Sequence, residues 1–344
     1  MAQFRAPCNQ SLDRLEQLRR WIESQFPGRG ISLAPASSDA SFRRYYRVGF
    51  SDGGPTLVAM DAPPPQEDCR PFVHVAGLMA RAGLHVPEIL AQDIGGGFLL
   101  LSDLGTRTYL DALNEGAQPE RLYRDAIDSL VAWQLASRAG VLPAYDEALL
   151  RRELELFPQW YVSRHLGVRL ARNQENALEE VFRAILANTL SQPRVFVHRD
   201  YMPRNLMVAD PNPGVLDFQD AVFGPITYDV ASLLRDAFIS WDEERVLEWA
   251  IRYWQKARAA GLPVAPDFAE FYRDFEWMGL QRHLKVLGIF ARIRHRDGKP
   301  GYVEDTPRFV AYVRHAAARY GALRSLLKLL DEFEDRKPQF GHSY

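Results

Sequence analysis

Val195-Phe196-Val197-His198-Arg199-Asp200-Tyr201-Met202-Pro203-Arg204-Asn205-Leu206-Met207-Val208 runs through Ala209-Asp210-Pro211-Asn212-Pro213 into Gly214-Val215-Leu216-Asp217-Phe218-Gln219-Asp220-Ala221. Residues 195–197 and 206–208 are short apolar runs, and Val215-Leu216 begins a third. The Asp-Pro-Asn-Pro-Gly segment between the last two is strong turn chemistry, so those runs read as a hairpin. Asp200, Asn205 and Asp217 then fall on a loop and two strand ends that can converge. Two carboxylates and an amide oxygen suit a hard cation such as Mg2+. They also suit a base that takes a proton from an attacking hydroxyl. Phosphoryl transfer needs that set: one Asp beside the nucleophile, and an Asn and an Asp holding metal on the phosphates of ATP.

The same residues resemble a known pattern. His198-Arg199-Asp200 followed by Asn205 fits the H-R-D-x-x-x-x-N loop of kinases, and Asp217-Phe218-Gln219 stands where D-F-G would be. Asp229, in Gly224-Pro225-Ile226-Thr227-Tyr228-Asp229, looks like the structural Asp that follows this loop in the aminoglycoside-phosphotransferase-like small-molecule kinases. No long activation loop and no A-P-E follow, unlike in protein kinases. A lone His-Arg-Asp is a cheap match, and buried strand ends with Asp are common. The joint pattern outweighs that reading. Met202 sits where protein kinases carry a Lys, and Arg204 is a nearby cation that can replace it.

The rest of the chain sets limits. With 344 residues it is long enough for two lobes. A net charge of −2 with no basic block argues against nucleic acid. Cys8 and Cys69 are too few for a disulfide framework or a zinc site, which points to a reducing cytoplasm. No apolar run is long enough to span a membrane, and no apolar signal core follows Met1. A monomer is expected.

Residues 11–26 carry Leu12, Leu15, Leu18, Trp21 and Ile22 at helical spacing, with Ser11 as N-cap. Strands are expected over 31–35, 42–50 and 56–60, a helix over 66–82, and a hairpin over 88–101 around Gly95-Gly96. From Thr106 on helices dominate, with Pro158 breaking one over 148–165 and a single helix expected over 306–331. Strands followed by helices give an α+β, two-lobed fold of the protein-kinase-like type: residues 1–102 a small, mainly antiparallel nucleotide-binding lobe, residues 103–344 a larger helical lobe.

By position, the segment 36–41 is the loop that covers nucleotide phosphates in kinases. It lacks glycine, but Ser38, Asp39 and Ser41 can bring backbone N–H groups to phosphate. Kinases also carry a phosphate-pairing Lys on the third strand. This chain reads Val58-Ala59-Met60-Asp61 there. Arg43 or Arg44 on the neighbouring strand can serve as the missing cation, against the plain reading of a solvated basic face. Glu67 stands where that cation's acidic partner would be. Ser102, Asp103 and Leu104 mark the crossing that in two-lobed kinases reads the adenine edge. Arg235, Trp241, Arg282, His283 and Lys285 are acceptor-side candidates, each more often a packing residue.

Residues 39–48, 60–64, 198–207 and 216–221 together resemble the bacterial anomeric N-acetylmuramate/N-acetylglucosamine kinases, and the missing strand Lys is part of the likeness. That resemblance implies ATP-dependent phosphorylation of an amino sugar at its C1 hydroxyl, for reuse of cell-wall sugars. It assigns Asp200 as the catalytic base and Asn205 and Asp217 as metal ligands. The residues alone leave open another acceptor (an aminoglycoside, choline or another sugar) or a nucleotide-binding pseudokinase.

Overall fold

The computed structural model describes residues 8–38 and 42–335. The chain divides into two compact units, Met1–Thr108 with Met207–Asp220, and Tyr109–Leu206 with Ala221–Tyr344.

The first unit opens with helix α1 (Cys8–Gln25) and strands β1 (Ile31–Ser38), β2 (Arg44–Phe50) and β3 (Leu57–Asp61). Helix α2 (Arg70–Arg81) and strands β4 (Ile89–Asp93) and β5 (Phe98–Ser102) follow. The strands form one antiparallel sheet in the order β1-β2-β3-β5-β4. The 18-residue helix α1, like most helices in proteins, takes its stability mainly from the packing of its apolar face. Here Leu18 and Ile22 bury fully against Val48, Ala59, Phe98 and Leu100 of the sheet. Each such side chain contributes roughly 1.5–3 kcal/mol on burial, so packing holds α1 in place.

Three boundaries differ from expectation. α1 starts at Cys8, upstream of Ser11, so Ser11 is not its N-cap. α2 begins only at Arg70, with Pro71 in its first turn where a missing N–H costs nothing. β1 runs through Ala36 to Ser38 across a bulge between Pro35 and Ser37, so half of the expected phosphate loop is strand.

The second unit contains α3 (Tyr109–Asn114), α4 (Pro119–Leu135) and α5 (Glu147–Leu154). A π-helical segment, Phe157–His165, then leads to α6 (Arg172–Ser191) and β6 (Arg194–Val197). β7 (Leu206–Met207) and β8 (Gly214–Val215) form the hairpin whose residues from Met207 on belong to the first unit. The chain returns as β9 (Val222–Pro225), antiparallel to β6. It ends in α7 (Tyr228–Leu234), α8 (Glu243–Ala259), α9 (Phe268–Asp297), α10 (Thr306–Arg319) and α11 (Arg324–Asp335).

Pro158 acts as expected. The α-helix stops at Leu154, and the chain resumes with the wider π winding, a known response to an interrupted ladder. The single helix expected over 306–331 is two, parted by the 3-10 turn Gly321–Leu323. α9 is the core of this unit. Asp267 caps its start by accepting from Ala269 N at 2.9 Å, and Gly298, at φ 68°, ends it in the left-handed region.

Gly288 lets α9 approach the chain at Leu156. A Cβ built there would lie 2.4 Å from the Leu156 carbonyl carbon and 2.5 Å from its oxygen, both backbone atoms. Gly288→Ala should therefore destabilise the protein by about 1–3 kcal/mol, despite alanine's better helix propensity. A urea melt with an unchanged or higher midpoint would contradict this contact.

Candidate active site

The turn after β6 is gripped by one carboxylate. Asp229, in the first turn of α7 and fully buried, accepts from His198 N at 2.7 Å and Arg199 N at 3.0 Å, one bond to each oxygen. Burial pushes this carboxyl up to about 7, while the two amides pull the other way. Both of its oxygens face N–H donors, which suits the ionised form. Arg199 sits at φ 78°, a conformation that costs a side-chain-bearing residue about 1–3 kcal/mol. That conformation turns the chain directly before Asp200. Asp200 N donates to His198 Nδ1 at 3.3 Å, so that nitrogen is the acceptor of the ring.

Asn205 closes the loop in a short 3-10 turn, Pro203–Asn205. Its Nδ2 donates to Asp200 O at 2.9 Å, and its own N donates to Met202 O at 2.9 Å. The amide nitrogen is thereby committed to the loop, so any contact of this side chain with a cation would fall to its oxygen. A neutral oxygen donor fits Mg2+. Asp200 and Asn205, separated by four residues in sequence, are thus brought together.

Arg199 reaches a network that the sequence did not reveal. Its Nη2 donates to Glu153 Oε1 at 2.7 Å. Lys285 Nζ lies 3.0 Å from the same oxygen and also donates to Tyr228 OH at 3.0 Å. Tyr145 OH donates to Glu153 Oε2. Burial pushes the Glu153 carboxyl up, but Lys285 and Arg199 outweigh it and hold it at about 2. One signal was present: Glu153 shares the apolar face of α5 with Leu150 and Leu154. Its partner 46 residues on could not be read from spacing.

Asp217 lies in the first unit, two residues past β8. It adopts φ 63°, and its Oδ1 accepts from Gln219 Nε2 at 2.8 Å. The hairpin before it is pinned within that unit. Val215 N donates to His85 O at 2.7 Å, and Val208 N donates to Arg107 O at 2.9 Å. Phe218 is fully buried and packs on Phe72 of α2, ring centroids 4.7 Å apart.

The expected nucleotide residues are also in this unit. Ser38 ends β1 opposite Arg44, while Asp39 and Ser41 lie outside the described residues. Met60 is fully buried and Asp61 is bound by Arg14 at 2.7 Å, so neither supplies a cation. Arg43 Nε is 3.6 Å from Glu67 Oε2, with only 11% of its side chain exposed. Arg44, by contrast, is exposed. Ser102 N donates to Glu88 O at 2.9 Å. The Asp103 carboxylate is taken by Arg47 at 2.6 Å, Thr56 at 2.7 Å and Gly105 N at 2.9 Å. It anchors the segment after β5. Arg204 is exposed, its guanidinium 4.9 Å from the centre of the Phe238 ring.

Most acceptor-side candidates turn out to be internal. Trp241 donates to Tyr123 OH at 2.7 Å and stands edge-on to Trp249. Arg235 pairs with Glu243 at 2.9 Å, and Lys285 belongs to the Glu153 network. His283 is buried, stacks on Tyr312, and is held neutral by that burial. Arg282 is also buried, with Nη1 lacking a hydrogen-bond partner among the described residues.

Comparison with known proteins agrees with this architecture. Residues 32–270 match a model of the family described as "Phosphotransferase enzyme family". A Pseudomonas aeruginosa protein named N-acetylmuramate/N-acetylglucosamine kinase is 57% identical over 327 residues, covering 92% of this chain and 96% of that one. A Pseudomonas putida protein of the same name is 52% identical over 331 residues, covering 93% and 97%. The crystal structure of a choline/ethanolamine kinase family protein from Mesorhizobium loti superposes with a TM-score of 0.61 at 15% identity, covering 92% and 99%. That last likeness concerns the fold alone, and it agrees with the α+β protein-kinase-like class expected from the sequence.

The Glu153 network has a pH signature. A carboxyl held near 2 when folded and near 4.3 when unfolded binds more protons in the unfolded chain between those values. Its contribution is complete above about pH 5.5 and fades as pH falls toward 2. Glu153→Gln should flatten that part of the acid limb in a stability-versus-pH series. At pH 7 it should cost about 3–5 kcal/mol, because Arg199 and Lys285 stay buried without a counter-charge. An acid limb superimposable on wild type would remove Glu153 from this role.

Proposed function

The chain belongs to the phosphotransferase enzyme family, and from that premise we propose that it transfers the γ-phosphoryl group of ATP to the C1 hydroxyl of N-acetylmuramate and N-acetylglucosamine. The product is the sugar α-1-phosphate, a form suited to return cell-wall sugars to nucleotide-sugar synthesis. One observation carries the reading: a loop holding Asp200 and Asn205 under the Asp229 grip, in a chain matching kinases of that name over more than nine-tenths of its length.

Asp200 is the proposed base. It orients the anomeric hydroxyl and accepts its proton as the new O–P bond forms and the bond to the β-phosphate oxygen breaks. Asn205 and Asp217 are the proposed oxygen donors to Mg2+, which when bound neutralises the nucleotide phosphates. Arg43 is the proposed substitute for the strand Lys. Its contact with Glu67 restores a cation-carboxylate pair from different residues, which argues against a pseudokinase. The segment 38–41 and the backbone at Ser102, Asp103 and Leu104 are the proposed contacts to phosphate and adenine. Residues 1–102 form the nucleotide side in this reading, and 103–344 carry the catalytic loop. Among the described residues no helix is long and apolar enough to cross a membrane.

Phosphorus NMR of the product tests the acceptor. An anomeric phosphate couples to H1, so a product lacking that coupling, or formed only from choline or an aminoglycoside, would overturn the assignment. Asp200→Asn should keep ATP affinity while kcat falls by at least about a thousandfold, because only a transition-state interaction is removed. Arg43→Met should weaken ATP chiefly through KM, and an unchanged KM for ATP would exclude Arg43 as the phosphate cation.

A further inference from the structure

Beside the catalytic turn the helical unit carries an open pocket of about 470 Å³, lined by Arg204, Phe238, Lys299, Tyr302 and Asp305 together with the glycines of the turn 298–301. That volume lies within the range of small-molecule sites, roughly 300–1,000 Å³. Arg204 stands next to Asn205 in the 3-10 turn that closes the catalytic loop. Phe238 follows α7, the helix whose Asp229 grips that loop. The remaining wall is the turn at the end of α9.

The pocket is built on the core. Phe290 of α9, buried, touches both aromatic walls: its ring centroid is 6.5 Å from that of Phe238 and 5.4 Å from that of Tyr302. Arg308 Nη1 donates to Ala237 O at 2.6 Å, fixing the backbone that carries Phe238. Gly298 makes a left-handed turn that brings Lys299 to the rim.

The charges at the rim are unequal. Asp305 has Arg308 at 3.8 Å as a counter-ion. Arg204 lies over Phe238 with no ion pair among the described residues, and the Asp297 carboxylate that attracts Lys299 is already held by Arg296 at 2.6 Å. Two cations beside two aromatic faces can hold a ring that bears a carboxylate. The two sugars of the functional reading differ in this respect. N-acetylmuramate carries a lactyl ether with a carboxylate at C3, where N-acetylglucosamine has a hydroxyl.

We infer that this pocket is the acceptor subsite, with Phe238 and Tyr302 against the sugar and Arg204 and Lys299 binding the lactyl carboxylate of N-acetylmuramate. The inference rests on the function proposed above. It makes Lys299 a specificity-determining residue, 94 positions beyond Asn205 in sequence, and gives Arg204 a role on the acceptor instead of the nucleotide.

Steady-state kinetics on the full chain, with each sugar in turn, tests it. Lys299→Gln should lower the ratio of kcat/KM for N-acetylmuramate over N-acetylglucosamine by about tenfold, the loss of one charge-assisted contact. Lys299→Arg should restore most of that ratio, and Arg204→Gln should lower it in the same direction. Raising ionic strength should erode the wild-type ratio more than that of Lys299→Gln. Lys299 is exposed, so the variants keep the fold, and a matching thermal melt verifies this. If wild type phosphorylates both sugars and the ratio does not move in Lys299→Gln, the subsite is overturned and the function stands. If wild type phosphorylates neither sugar, the functional reading falls and the subsite falls with it.

Discussion

One buried carboxylate organises the catalytic loop. Asp229 is held by the first turn of α7, and its two oxygens take the amides of His198 and Arg199. Those amides follow directly on β6, where ladder pairing to β9 ends. Without Asp229 they would be buried donors with no partner, at a cost of about 1–3 kcal/mol each. The same grip holds Arg199 in its left-handed conformation, which turns the chain directly before Asp200. Loop geometry therefore depends on a helix start thirty residues downstream.

A second buried carboxylate supports the first. Glu153 compensates Arg199 and Lys285, and Lys285 bonds Tyr228, the residue beside Asp229. Each charge in this set would be costly alone in the interior. Together they tie α5, α7, α9 and the catalytic loop into one arrangement. The loop is thereby fixed to the core of the helical unit. The pocket beside it draws on the same core through Phe290 and Arg308.

In the sheet unit, the third strand offers no cation, since Met60 is buried and Asp61 is bound to Arg14. Arg43, one residue before β2, reaches Glu67 in the segment before α2. Pairing the guanidinium with a carboxylate limits its motion. The pair joins a residue before β2 to one before α2, so a motif search on the third strand alone does not find it. The segment after β5 is held in a similar way. The Asp103 side chain is taken up by Arg47, Thr56 and Gly105.

By itself the sequence determined the local order: a sheet-forming first part, a helical remainder, the hairpin between Asn205 and Asp217, and the residue types at the loop. These follow from period, turn chemistry and short spacing, which act over a few residues. Tertiary structure alone decided that Glu153 answers Arg199, that Arg43 rather than Arg44 meets Glu67, and that Trp241, Arg235 and Lys285 face inward. It also placed Lys299 in one pocket with Arg204. A charge pair or a pocket wall forms between atoms close in space, and nothing in the spacing of residues dozens of positions apart records that distance.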